Sequence, residues 1–581
     1  MQLETIDWII IGLFFAVSLA IGLFTMKRAS SDATEFFLSG RTMPWWLLGV
    51  SMVATTFSAD TPNLVADLVR TNGVAGNWVW WAFLLTGMLT VFVYARLWRR
   101  SEVLTDIEFY ELRYSGKEAA FLRGFRAIYL GVFFNVVIMA TVCLAAVKIG
   151  NVLLGLPPWK TLLLASVVTV IYSALGGLRG VLITDFVQFI LAMIGSVGAA
   201  YYILNLPEVG GIATLIEHPM VADKISLIPD FSNTDLAIGL FIIPLAVQWW
   251  SVWYPGAEPG GGGYIAQRML AAKDENNAIG ATLLFNIAHY ALRPWPWILI
   301  ALASLVVYPS VDSIQSAFPQ VDAALIKNDL AYPAMLTYLP AGLLGLVVAS
   351  LVAAFMSTIS THLNWGSSYV VNDFWVRFVR PQASAREQVN VGRITTVFLM
   401  VASAILSLFI GSAKDGFHVL LQIGAGTGLI FILRWFWWRI NAYTELAGMV
   451  ISFVYALAIL FIAPEWSDGM KLIVGVGITT IGWLVVTFLT PPVNTATLTN
   501  YAIKVKPWGT KWKELSGNTV SSGDKLPRQI VSMLLGVVLV YACLFGIGKW
   551  IYGQLSMALI LFAIAGAAGL VIYKMWKAER N

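Results

Sequence analysis

Apolar runs of about 18–25 residues, each long enough to cross the hydrocarbon core of a bilayer, recur from one end of this 581-residue chain to the other. Inside a bilayer every backbone N–H and C=O must be bonded within its own helix or around a closed barrel. A barrel would show shorter segments in which apolar and polar residues alternate. The runs here are continuous, so the fold class is an all-α polytopic membrane protein, with roughly 15 transmembrane helices by the length criterion. Composition agrees: 58% of residues are hydrophobic and 12% are charged, far too apolar for one water-soluble core.

The cations fall in alternate loops. Lys27, Arg28 and Arg41 follow the first run, Arg96, Arg99 and Arg100 the third, and Arg268 and Lys273 the seventh. Arg377, Arg380 and Arg386 follow the ninth, Arg434 and Arg439 the eleventh, and Lys504, Lys506, Lys511 and Lys513 the thirteenth. The positive-inside rule then puts the N-terminus outside and the C-terminus in the cytoplasm of a plasma membrane, here read as a bacterial inner membrane. Glu4 and Asp7 replace the basic start that a cleavable signal would carry. The pI near 9.0 is thus an insertion signal spread over loops, which makes the bilayer, a small solute and an ion the expected partners, and a nucleic acid none. No phosphate-cradling loop is present, Cys143 and Cys543 lie in different runs, and the four histidines are scattered. An ATP-driven pump, a metal site of protein ligands and an enzyme are therefore not expected, nor an organic cofactor. Oligomeric state is not readable.

Two runs are interrupted. The second, 44–70, contains "TTFSADTPN" with Asp60 and Pro62 at its centre, and the seventh, 236–270, contains "QWWSVWYPGAEPGGGGYIAQR". Irregular backbone at membrane depth survives only where it lines a cavity or is buried in protein. Paired interruptions in corresponding runs point to two inverted five-helix repeats with a binding site between them. This divides the chain into 1–43 (a first extra helix and its loop), 44–235 (first repeat), 236–440 (second repeat) and 441–581 (accessory helices). In the ninth run, "SLVAAFMSTISTHLN" puts Ser357, Thr358, Ser360 and Thr361 on one helix face. Hydroxyls there often bond their own turn or pack helices, but four together with freed carbonyls suit a hard cation. In "SALGGLRGVLITDFVQFIL" the glycines and Arg179 mark a turn, after which Asp185 and Gln188 share a face. An intramembrane carboxylate is a functional candidate by default, with a pair to Arg179 as the plainer reading.

"FSADTPN", "GGLRGVLITDFVQ", "YIAQRMLAAK" and "AAFMSTISTHLN" together resemble the sodium:solute symporter family, which includes sodium/glucose and sodium/proline cotransporters, over about the first eleven runs. The resemblance implies a LeuT-type inverted repeat preceded by one extra helix. It implies a sodium site from the carbonyls of Ser58, Thr61 and Ala354 and the hydroxyls of Ser357 and Thr358. It implies a second sodium at Asp185, Ser357, Ser360 and Thr361, and a proline-branch acid at Asp60 as a coupling group or gate. For substrate, Asn77, Asn135 and Gln422 fall on positions used by sugar-transporting relatives, and His289 replaces a lysine of that branch. The seventh run departs from the family pattern and contributes Gln248, Trp249, Trp250, Trp253 and Tyr254 as candidates.

These residues suit a hydroxylated solute: amides both donate and accept, and indole faces stack on the apolar face of a sugar ring. Trp435, Trp437 and Trp438 read instead as interface anchors. Arg293, one turn past His289, either holds a substrate carboxylate or snorkels to the interface. The expected function is sodium-coupled uptake of a small polar solute, foremost a sugar or sugar derivative, by alternating access with one or two sodium ions. The alternatives are symport of an amino acid or organic acid such as proline or a monocarboxylate, coupling to protons, and a non-transporting receptor of the same fold.

Overall fold

Helices are the regular structure of the computed structural model, which describes residues 3–29, 33–252, 258–410, 421–517 and 526–580. Eleven helical runs among the described residues are long and apolar enough to span a membrane. The runs that matter here are α1 (Thr5–Ala29), α2 (Trp45–Thr56), α3 (Thr61–Asn72), α4 (Val74–Ser101), α5 (Gly116–Leu154) and α6 (Pro158–Leu204). They continue with α7 (Thr234–Ser251), α8 (Gly263–Ala271), α9 (Glu275–Val307), α10 (Leu343–Val379) and α11 (Ala385–Ser407). The last are α12 (Gly428–Leu433), α13 (Ala442–Ile462), α14 (Asp468–Leu489), α15 (Leu526–Ile551) and α16 (Leu555–Arg580). The other expected spans are each special: α1 has only a short apolar stretch, α2 and α3 are two halves of one pass, α6 holds two expected spans, and 411–420 lie outside the described residues.

Both expected breaks are present. α2 stops at Thr56 and α3 starts at Thr61, with Pro62 in its first turn, where a missing N–H costs nothing. α7 stops at Ser251 and α8 starts at Gly263. Between them Gly260, Gly261 and Gly263 have φ of +85°, +78° and +54°, which residues with a Cβ adopt only under strain. The two broken passes are tied where one begins and the other ends: Met43 accepts from the Lys273 amide (3.1 Å) and donates to the Ala271 carbonyl (3.2 Å).

Helical backbone runs along the whole of α6, 47 residues, through the expected turn at Gly176 and Gly177. Its ends nevertheless flank the same turns of α10. Leu164 and Ala165 share an apolar crevice with Val348 and Leu351, while Gly195 abuts Ser350 and Gly198 abuts Leu343. A straight helix would hold positions 165 and 195 about 45 Å apart. The run therefore doubles back between them and makes two passes.

The segment between α9 and α10 forms an ordered cap. Arg70 of α3 donates to the carbonyls of Ser304 (3.0 Å) and Tyr308 (2.9 Å) and to Asn328 (3.1 Å), and Lys148 of α5 pairs with Asp329 at 2.6 Å. The extra helix is anchored by one buried carboxylate. Asp7 accepts from the amides of Gly342 (2.8 Å) and Gly345 (2.7 Å), which open α10 and have no partner within it. Asp7 is thus an N-cap supplied by another helix. Asp7→Ala is expected to cost about 1–2 kcal/mol of stability, and Asp7→Asn, which keeps an acceptor, clearly less; thermal unfolding of the purified protein in detergent checks this.

Candidate functional site

α2 ends in the middle of the bundle, so its last carbonyls have no helical donors. The Phe57 amide serves those of Val53 (2.8 Å) and Ala54 (3.1 Å). The Thr55 carbonyl is met instead from across the bundle, by the Thr358 hydroxyl of α10 at 2.8 Å. The side chains of Thr55 and Thr361 lie 3.2 Å apart beside it. Ser357, Thr358, Ser360 and Thr361 are all buried, so the hydroxyl face faces the break, with Ala354 one turn before Thr358 on the same helix.

The Ser58 carbonyl accepts from the Thr61 amide at 3.2 Å, and Thr61 already lies in the first turn of α3. The oxygen that meets the α10 hydroxyls belongs to Thr55, about one turn earlier. Pro62 cannot donate back to Ser58, but the neighbouring Thr61 amide takes over that acceptor. Asp60 stands at the start of α3, its own carbonyl accepting from Leu64 at 2.9 Å.

Asp185 is fully buried in α6 and accepts from Ser51 of α2 (2.5 Å) and Ser357 of α10 (2.6 Å). Its charge partner is Arg268 of α8, 3.9 Å away, rather than Arg179. Arg268 also donates to Thr361 (2.9 Å), Ser51 (3.3 Å), Thr55 (3.4 Å) and Gln267 (3.0 Å). Two of the residues expected to hold a second sodium, Asp185 and Thr361, therefore already meet a guanidinium, and the Ser360 hydroxyl donates back to the Ser357 carbonyl at 3.1 Å. Ser51, Thr55 and Arg268 are the residues that sequence reasoning missed. Thr55 stood inside the motif that marks the break, while Arg268 was counted as a loop cation although it is 0% exposed.

The substrate candidates scatter. Gln248 of α7 and Gln422, before α12, come together in a cavity of about 680 Å³, with Asn72, Val79, Asp235 and Asp468 among its described walls. This cavity opens on the side of the bundle where α3 ends and α7 and α14 begin. Asn77 is fully buried, donating to the Val74 carbonyl and accepting from the Trp80 indole, each at 2.9 Å. Asn135 is committed to α10 through the His362 carbonyl (2.8 Å) and imidazole (2.6 Å). Trp249 and Trp250 turn their indole N–H back on the carbonyls of Leu245 (3.0 Å) and Ala246 (2.7 Å). Trp253 and Tyr254 lie outside the described residues. His289 and Arg293 both face the end of α2, where Thr56 meets the imidazole at 3.1 Å and the guanidinium at 3.2 Å. Arg293 is buried against Trp297 and neither snorkels nor lines the described cavity. Trp435 is likewise no interface anchor: it is fully buried against Phe109 and Trp98.

A family model described as the sodium:solute symporter family matches residues 36–452. The sodium/glucose cotransporter of Vibrio parahaemolyticus is 24% identical over 480 residues, covering 79% of this chain and 86% of the relative. The sodium/myo-inositol cotransporter 2 of Mus musculus is 27% identical over 493 residues, covering 78% and 70%. Among solved structures, the substrate-bound outward-open state of a Na+-coupled sialic acid symporter has the same fold, with a TM-score of 0.65 at 21% identity over 84% of this chain and 99% of that one. The broken helices, the buried hydroxyl face and the matched family model, which spans most of the chain, lead to one conclusion: this protein belongs to the sodium:solute symporter family and is an integral membrane protein of sodium-coupled symport, not an enzyme.

Proposed function

We propose that this chain takes up a neutral polyhydroxylated solute, a sugar or a polyol, with one sodium ion per cycle. The observation that carries the substrate class is the cavity: Gln422 faces it together with Asp235, Asp468 and Gln248, whose amide nitrogen donates to the Val79 carbonyl at 2.6 Å, and no lysine or arginine is among its described walls. Amides match hydroxyls as donors and acceptors, whereas an anion would enter against two carboxylates. The relatives named for glucose and myo-inositol support the same class. A monocarboxylate or sugar acid is disfavoured because Arg293, the one cation proposed for it, is engaged by α2.

The ion sits, in this reading, where Thr358 now meets the Thr55 carbonyl. Sodium takes the place of that hydrogen bond: the Thr358 hydroxyl keeps its proton and turns it away, so that the oxygens of Thr55, Ser357 and Thr358 face the ion. Asp185 accepts the Ser357 proton, which leaves the Ser357 lone pairs to face a cation, so the carboxylate orients a ligand and need not be one. Arg268 neutralises Asp185, which favours one sodium over two. Bound sodium would hold α2 against α10 and thereby shape the cavity beyond the break. The cavity faces the outside, following the loop charges, in a plasma membrane read as bacterial. A single charge crossing 100 mV supplies about 2.3 kcal/mol, and linkage requires sodium and solute to tighten each other's binding equally.

In proteoliposomes, an imposed sodium gradient should drive uptake of a neutral sugar or polyol, with hyperbolic sodium activation. Uptake driven by a pH gradient without sodium would instead favour proton coupling. Ser357→Ala with Thr358→Ala should abolish sodium stimulation while the protein remains folded. Asp185→Asn should raise the sodium concentration for half-activation at least tenfold, about 1.4 kcal/mol. Gln422→Ala should raise the solute KM about tenfold, the loss of one good hydrogen bond, and leave sodium activation unchanged; solute titrations of uptake check both.

A further inference from the structure

The described chain of the second break is held by contacts that the ion and solute sites do not use. Glu258 stands 3.9 Å from Arg126 of α5 and 3.8 Å from Arg434 at the end of α12. The same two guanidinium groups stand 3.6 Å and 3.5 Å from Glu445 of α13. Cations and anions thus alternate around a closed ring, and none of the four is more than 3% exposed. Its walls are aromatic: Arg434 lies 4.9 Å from the Phe431 ring and 5.0 Å from Phe109, and Arg126 lies 5.3 Å from Tyr110. Further along, the Gly260 carbonyl accepts from Trp98 at 2.7 Å and the Gly263 amide donates to Asp106 at 2.8 Å. The ring lies further along both segments than the solute cavity: Gln248 is in α7 ahead of the break whereas Glu258 is within it, and Gln422 and Arg434 bracket α12.

We propose that this ring is the cytoplasmic gate, and that Glu258 is the positioning residue that holds the glycine-rich stretch 258–263 ahead of α8 across the inner side while the cavity faces outward. Buried ion pairs add little net stability but are costly to leave half-made. A ring of four such charges is therefore closed and dry, or open and hydrated, with little in between. Opening it separates Glu258 from both guanidinium groups, and the glycines at positive φ supply the backbone freedom for the swing. The named sides rest on the symport reading above; the closure itself does not.

The test uses the full chain with Asn72→Cys, a cavity-wall position without an assigned role, in a background of Cys143→Ala and Cys543→Ala, labelled from outside by a membrane-impermeant thiol reagent. In sodium-free buffer, Glu258→Gln should lower the labelling rate at least fivefold, because the population shifts toward the state with its inner side open. Glu258→Asp, which keeps the charge, should restore most of the rate. Arg434→Lys, which keeps charge but loses the fork that spans both acids, should lower the rate in the same direction by less and serves if Glu258→Gln does not fold. Unchanged labelling in a monodisperse, folded Glu258→Gln or Arg434→Lys protein overturns the gate. Saturating sodium should raise labelling of Glu258→Gln again; if labelling falls without sodium but does not recover with it, the gate stands and the sodium reading fails.

Discussion

The structure depends on one meeting of unsatisfied groups: a helix that ends in mid-membrane, and a second helix whose hydroxyls close its open carbonyls. Away from water an orphaned carbonyl costs several kcal/mol. The Thr358 hydroxyl removes that cost for Thr55 with a bond of 2.8 Å. In the proposed reading this bond holds the place of an ion. Its carbonyl and hydroxyl oxygens are what a hard cation takes, so the arrangement that makes the break tolerable without an ion also prepares it for one. The neighbouring contacts serve the same junction. Arg293 and His289 grip Thr56, Arg268 grips Thr55 and Thr361, and Asp185 joins Ser51 to Ser357.

The architecture was legible because it rests on composition and length. Apolar runs, paired breaks, the hydroxyl cluster of α10 and the family resemblance each leave a mark over many residues. Which carbonyl of the break meets the α10 hydroxyls was not legible. Pro62 marks where a helix can restart, but which carbonyl stays open depends on which amides turn back, and those are Phe57 and Thr61. A local choice between neighbouring acceptors leaves no periodic trace. In α6 the sequence marks the reversal by the glycines before Arg179, and the structure shows it through what the two ends of the run touch on α10.

Charge was the least legible layer. Arg268 and Arg434 were counted with the loop cations, yet both are buried. The positive-inside rule describes which flank stays behind during insertion; it does not say how deep a flanking arginine sits after the helices have packed. Arginine tolerates burial where carboxylates and aromatic faces surround it, and here those partners come from elsewhere in the chain: Asp185 for Arg268, Glu258 and Glu445 for Arg434. The amides had the opposite fate. Asn77 and Asn135 look like solute ligands by position, but Asn77 is engaged within its own helix and Asn135 ties α5 to α10.

The two breaks correspond in position and differ in chemistry, and the difference follows from what each must do. The first is closed by neutral oxygens, which can be handed to a small cation without leaving a buried charge behind. The second is flanked by fixed charges of both signs, which no sodium ion can replace because the ring already balances itself. In the proposed reading an ion acts directly on the first break, and on the second only through α10 and Arg268 of α8, which both touch the first. Arg268 is the physical link: it belongs to the helix that follows the second break, and its donors reach Ser51, Thr55 and Thr361 beside the first. A change in the oxygen geometry around Thr55 reaches Thr358 and Thr361 of α10 and, through the same hydroxyls, this guanidinium, so one side chain of the helix after the second break touches the first directly.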